Sequence, residues 1–294
     1  MSNNTQAYIP CTLDTCPISW STIGYQPNLC GNALFLAIFA VALFVQLAIG
    51  VRYKTWSYLV GMGGGLVLEI VGYAGRIQLH VNPFVFNSFI HYPNSMTRYL
   101  VCLTIAPAFM SAVVYICFYR IIIVYDSSLS RIKPRAFVVT FIASDVLCLI
   151  LQAAGGAITA TTGGSSDGAE AMRNTGVNVM IAGLALQVVS LVFFLACALD
   201  YTYRVSQKGF FPATAAMQSR RWKGFLISLT IATIAIFIRS VFRVAELRDG
   251  FSSELAGNEV AFMILEGAMI VVATICLTVF HPGYCLGVSW KVST

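Results

Sequence analysis

Residues 32–52 read NALFLAIFAVALFVQLAIGVR, with Asn32, Gln46 and a closing Arg52 as their only strongly polar members. A stretch of about twenty apolar residues matches the helix needed to cross a bilayer core of ~30 Å. Six more runs of that kind follow, at roughly 57–76, 99–124, 136–160, 177–199, 222–243 and 259–280. The chain is 58% hydrophobic and 10% charged, with a mean hydropathy of +0.79, whereas soluble domains carry about 25% charged residues. The expected fold is therefore all-α: one polytopic membrane bundle of seven transmembrane helices.

Residues 1–31 read as an exposed N-terminal segment, 32–283 as the membrane domain and 284–294 as a tail. The leader has no Lys or Arg and so lacks the charged start of a signal peptide. Basic residues near span ends stay in the cytoplasm. Arg52 and Lys54, then Arg131, Lys133 and Arg135, then Arg204, Lys208, Arg220, Arg221 and Lys223 fall in alternate joints. That pattern predicts an outside N-terminus and a cytoplasmic C-terminus, and it attributes the net charge of +6 to topology instead of nucleic-acid binding. Cys11, Cys16 and Cys30 lie on the outer side, where two could pair in an arrangement that spacing leaves open; Asn3-Asn4-Thr5 is a glycosylation sequon there. The longest joints are expected at 77–98, an apolar stretch suited to a lid or interfacial segment, and at 200–221.

Ionised groups within membrane helices cost about 2.5–3.5 kcal/mol each on insertion scales, so they tend to face the bundle interior and mark a functional path. In the second run Glu69, Gly72, Tyr73 and Arg76 follow i, i+3, i+4, i+7 and share one helical face. Asp145 and Gln152 repeat the seven-residue spacing in the fourth run, and Gln187 adds a polar group to the fifth. Arg239, Arg243 and Glu246 form a stripe in the sixth, and Glu259 and Glu266 lie two turns apart in the seventh. Five acids face Arg76, Arg239 and Arg243, leaving about two carboxylates to be protonated or matched by a cationic ligand. Glu69, Tyr73, Asp145, Gln152, Gln187, Glu259 and Glu266 are the candidate ligand or proton groups. Arg76, Arg239, Arg243 and Glu246 are the candidate charge network, around a polar cavity expected in the outer half of the bundle. A purely structural network that fixes helix register is the competing expectation.

Gly61, Gly63, Gly64 and Gly65 suit a close helix contact, and Pro107 is expected to bend the third span. The three histidines are too scattered for a hydrolytic zinc site, and no lysine lies deep in a span for a retinal Schiff base. No phosphate-binding glycine loop and no cofactor motif occurs.

With these stripes in place, the chain resembles the RTA-like family of fungal seven-span proteins described as lipid-translocating exporters. The resemblance is carried by Tyr25-Gln26-Pro27-Asn28, Asn32 to Phe35, Glu69 to Arg76 and Ala106-Pro107, then by Asp145, Gln152, Gly155-Gly156, Gly183-Leu184 and Gln187. It continues through residues 238–246, IRSVFRVAE, with Gly250, Glu259 and the closing His281-Pro282-Gly283. Where the family tends to show Tyr and Asp in the last span, this chain has Met263 and Glu266. The resemblance implies an amphiphilic lipid ligand, such as a sphingoid long-chain base, and residence in the plasma membrane. A seven-span lipid sensor and a carboxylate-based intramembrane lipid enzyme are the alternatives.

Overall fold

The structure is a computed structural model that describes residues 17, 25–81, 95–125, 130–131, 133–161, 167–207, 220–248 and 258–286. Helices α1 (Leu29–Tyr53), α2 (Trp56–Val81), α3 (Ser95–Tyr125), α4 (Pro134–Thr161), α5 (Asp167–Gln207) and α6 (Arg220–Arg248) form the first six spans. The seventh is composite: α7 (Glu259–Phe262), a π-helical segment (Met263–Ala268), α8 (Met269–Val279) and a short α9 (Pro282–Leu286). All seven are long and apolar enough to cross a bilayer, so this is an integral membrane protein.

The ends are set by local chemistry. Asn28 caps α1, its side-chain oxygen accepting from the Gly31 N–H at 3.0 Å. Lys54 closes the helix at φ 55°, its N–H turned back to the carbonyls of Gly50 and Val51. Asn258 repeats the N-cap on α7 through the Ala261 N–H. Phe280 ends α8, its N–H bonded to the Cys276 carbonyl, and His281 opens α9, buried edge-on against Tyr58 with its Nδ1 accepting from the Gly283 N–H.

Neighbours in sequence pack side by side, and α8 returns to α1, so the spans close into a ring. α3 also touches α6 across it. α3 is the central element: its apolar window is 61% buried, against 22% for α1. Close approach to α2 requires glycine at particular points. A Cβ on Gly61 would lie 2.6 Å from Val113, and one on Gly72 would lie 2.7 Å from Leu103. Gly63 has room, with Leu43 no nearer than 3.9 Å, so the helix interface uses Gly61, Gly64 and Gly65 but not Gly63. α4 and α5 cross more tightly: a Cβ on Gly155 would sit 2.5 Å from the Gly176 carbonyl oxygen.

Two joints are shorter than their sequence suggests. α5 has 41 residues and extends past both ends of the apolar run. Ala169, Glu170, Ala171, Met172 and Arg173 are good helix formers at its start, and an i, i+4 Asp200–Arg204 pair of 2.9 Å supports its end. α2 reaches Val81 and α3 begins at Ser95, so both ends of the expected 77–98 joint are helical; its 82–94 portion lies outside the described residues. The glycosylation sequon, Cys11, Cys16 and Gly250 also lie outside them, while Cys30 is exposed.

Gly155→Leu should destabilise the bundle by about 1–3 kcal/mol, the usual cost of overpacking, while Gly63→Ala should be nearly silent. Thermal unfolding in detergent micelles, followed by the exposure of buried thiols, distinguishes the two.

A buried arginine and carboxylate network

Pro107 explains where the network is anchored. In an α-helix each N–H bonds the carbonyl four residues earlier, and proline has no N–H, so the Leu103 carbonyl loses its helical partner. The structure fills the gap from another helix: Arg239 of α6 donates from Nη2 to the Leu103 oxygen at 2.5 Å. The adjacent Thr104 hydroxyl accepts from Nη2 of Arg243 at 3.2 Å. Both arginines of the α6 stripe therefore dock on one turn of α3.

Their other sides meet carboxylates. Arg239 Nη2 lies 3.1 Å from Glu266 Oε1 and 4.0 Å from Glu69 Oε1. Arg243 Nη1 lies 2.7 Å from Glu246 Oε2 and 3.2 Å from Glu266 Oε2. Glu266 thus bridges the two guanidinium groups. It sits in the π-helical segment, a departure from α-helical winding often found at functional positions. Glu69 and Glu266 are each 1% exposed and Arg239 2%, so these charges are packed into the bundle. Glu69 is held less closely than Glu266: its pairing with Arg239 is at 4.0 Å, and its Oε1, like Glu266 Oε2, is buried and makes no hydrogen bond.

Above this knot Arg76 makes a second layer. Its Nε donates to Asn32 Oδ1 at 3.1 Å, its Nη2 to the Tyr25 hydroxyl at 3.1 Å, and its guanidinium lies 3.8 Å from the centre of the Phe262 ring. Arg76 is also near enough to Glu246 for their charges to interact, which links the layers. Burial pushes the Tyr25 phenol above its usual range, and the Arg76 charge opposes that shift. Glu259 lies apart from Glu266 and accepts from the Asn28 N–H at the start of α1. The Tyr25-Gln26-Pro27-Asn28 stretch is pinned to α2 as well: Gln26 donates to the His80 carbonyl at 2.9 Å, and the His80 ring meets the Pro27 carbonyl at 2.7 Å. Tyr73 packs between Phe35 and Phe39, within electrostatic reach of Glu69 and Glu266.

The remaining candidates lie elsewhere. Asp145 of α4 is 3% exposed and accepts from the Ser111 hydroxyl of α3 at 2.6 Å; its other oxygen makes no hydrogen bond. No ion pair to it is formed among the described residues. Gln152 donates to Gln187 at 3.2 Å, joining α4 to α5. The candidate residues thus fall in three places: the arginine network, Asp145 of α4 against Ser111 of α3, and the glutamine pair between α4 and α5. The network holds Glu69, Glu246, Glu259 and Glu266 against Arg76, Arg239 and Arg243, one carboxylate in surplus, and Asp145 is a second. The contributors missing from the candidate site, Leu103, Thr104, Asn32, Tyr25 and Ser111, are neutral groups; Asn32, polar within an apolar run, Pro107, and Tyr25 in the Tyr25-Gln26-Pro27-Asn28 stretch are the signals the sequence holds for them.

A family model described as RTA1 like protein matches residues 62–289, which contain α3, α6 and the whole network but for Tyr25, Asn28 and Asn32. The chain belongs to the RTA1-like family. It is 30% identical over 298 residues to a sphingoid long-chain base transporter of Saccharomyces cerevisiae, RSB1, covering 89% of this chain and 73% of that one. It is 27% identical to protein RTM1 of the same yeast, over 79% of this chain and 72% of the relative. It is also 27% identical to the yeast protoporphyrin uptake protein 1, over 73% of this chain and 65% of the relative. No solved structure matches the chain significantly.

Removing one member of a buried pair leaves its partner uncompensated, at a cost of about 3–5 kcal/mol. Arg239→Ala should lose that much stability in detergent unfolding, and Glu69→Gln far less because its cation is distant. The double variant Arg239→Ala/Glu266→Ala should recover part of the loss, giving a non-zero coupling energy.

Proposed function

We propose that this RTA1-like protein is a membrane lipid translocator that takes a cationic amphiphile, of which a sphingoid long-chain base is the type, into the bundle beside Glu69. The observation that carries the reading is the uneven sharing of Arg239: Glu266 holds it at 3.1 Å while Glu69 stands off at 4.0 Å with a buried oxygen making no hydrogen bond. An ammonium head group would supply the missing donor and the missing positive charge, and Tyr73 would border it. The transporter named among the relatives, with 89% of this chain aligned to it, supports the same substrate class.

Arg76, Arg239 and Arg243 hold the carboxylates in position on this reading. Asp145, buried with the Ser111 hydroxyl as a donor, is a proton site suited to coupling uphill movement, since the sequence carries no nucleotide-binding loop. Gln152 and Gln187 contribute polar contacts between α4 and α5. The basic ends of alternate spans orient the protein with its N-terminus outside and its C-terminus in the cytoplasm, which puts the network in the outer half of the membrane. The plasma membrane is the proposed site.

Hydrogen bonds to charged groups contribute about 1.5–3 kcal/mol. In protein-only liposomes carrying a labelled sphingoid base, Glu69→Gln should therefore lower leaflet exchange about tenfold or more. Asp145→Asn should abolish any dependence of exchange on a pH gradient. The recovered lipid should have unchanged mass. Binding without exchange in the wild type would indicate a sensor, and a changed mass an enzyme; either contradicts the translocator.

A further inference from the structure

The opposite end of the bundle carries a separate feature that the charge network does not use. Where α3, α4 and α5 meet, a cavity of about 280 Å³ is walled by Phe118, Phe137, Phe193 and Tyr201. That volume is at the small end of ligand sites, enough for part of one hydrocarbon chain. The wall is fixed from behind and exposed in front. Phe118 packs on Phe137 at 5.6 Å and on Tyr201 at 5.8 Å between ring centres, all three rings buried, while Phe193 is 55% exposed on the outer face of α5. The groove therefore opens sideways, where acyl chains lie.

Its mouth is charged. Arg131 donates from Nε and Nη2 to the two oxygens of Asp200 at 3.1 and 3.2 Å, and Arg204 Nε adds a third contact at 2.9 Å. Asp200 is thus saturated by two guanidinium groups, and the cluster keeps one net positive charge. Both arginines retain exposed surface: the Arg131 side chain is 67% exposed and that of Arg204 37%. An ammonium head group would be repelled here, whereas a phosphate would complete the charge balance and take the remaining guanidinium hydrogens.

We propose that this groove is a binding site for a phosphate-bearing membrane lipid, its chain against the four aromatic rings and its phosphate on Arg131 and Arg204. On the orientation proposed above, the site lies in the cytoplasmic leaflet. It is chemically opposite to the acid-rich network, so its occupant is a resident lipid and not the cationic cargo.

The test is photolabelling in phosphatidylcholine nanodiscs doped with phosphatidic acid that bears a diazirine on its acyl chain, with adducts located by peptide mass spectrometry. Adducts should concentrate on peptides containing Phe137, Phe193 and Ala196. One basic side chain near a lipid surface changes binding of an anionic lipid about fivefold, so Arg131→Gln should reduce labelling by about that factor and Arg131→Gln/Arg204→Gln further. Ala196→Trp, which fills the exposed lip, should remove the adducts with unchanged thermal stability. Adducts spread evenly over the outward helix faces would overturn the proposal. So would labelling indifferent to the arginine substitutions, or stronger labelling by a diazirine sphingoid base.

Discussion

The hydrogen bond from Arg239 to the Leu103 carbonyl is the contact on which the rest of the arrangement depends. A proline in a membrane helix frees a carbonyl that the low-dielectric surroundings make costly unless another group satisfies it. Here the deficit is met by a cation from α6, and meeting it fixes the cation in place. With Arg239 anchored on α3, Glu266 of the π-helical segment lies 3.1 Å from it, and Glu69 4.0 Å. The cation that answers one missing backbone N–H therefore pairs closely with Glu266 and more loosely with Glu69.

The second arginine repeats the logic. Arg243 docks on the Thr104 hydroxyl and shares Glu266, so the two guanidinium groups and their bridging carboxylate tie α3, α6 and the seventh span into one unit. Arg76 extends that unit upward to α1 through Asn32 and Tyr25. The small residues serve the same end: glycine at 72 lets Leu103 approach α2, and Gly267 leaves room for the Phe35 ring and the Tyr73 hydroxyl. Close backbone contact and buried charge are therefore one design, since the arginines reach their partners only because the helices are this near.

The seven spans were legible because bilayer thickness imposes a length and a composition that survive any local irregularity. Their ends were less so: residues 167–176 and 200–207 are polar enough to resemble loops yet helical, because helix propensity and an i, i+4 ion pair act without hydrophobicity. The inward stripe on α2 was readable because its 3.6-residue period is regular. The seventh span was not, since its π-helical segment breaks the period and sends Glu259 to α1 and Glu266 to the arginines. Asp145 faces Ser111 of α3, a pairing between helices that no spacing within one helix encodes. The docking of Arg239 on a carbonyl was hidden for the same reason, although Pro107 marked the vacancy.

The central claim is that Glu69 is the carboxylate held ready for a cation while Glu266 is held by the arginines. Infrared difference spectroscopy of the protein with and without a sphingoid base reads this directly, because a carboxyl group that changes charge or partner shifts its stretching bands. The account predicts a ligand-induced carboxyl band that vanishes in Glu69→Gln and persists in Glu259→Gln. A band unchanged by Glu69→Gln would contradict it.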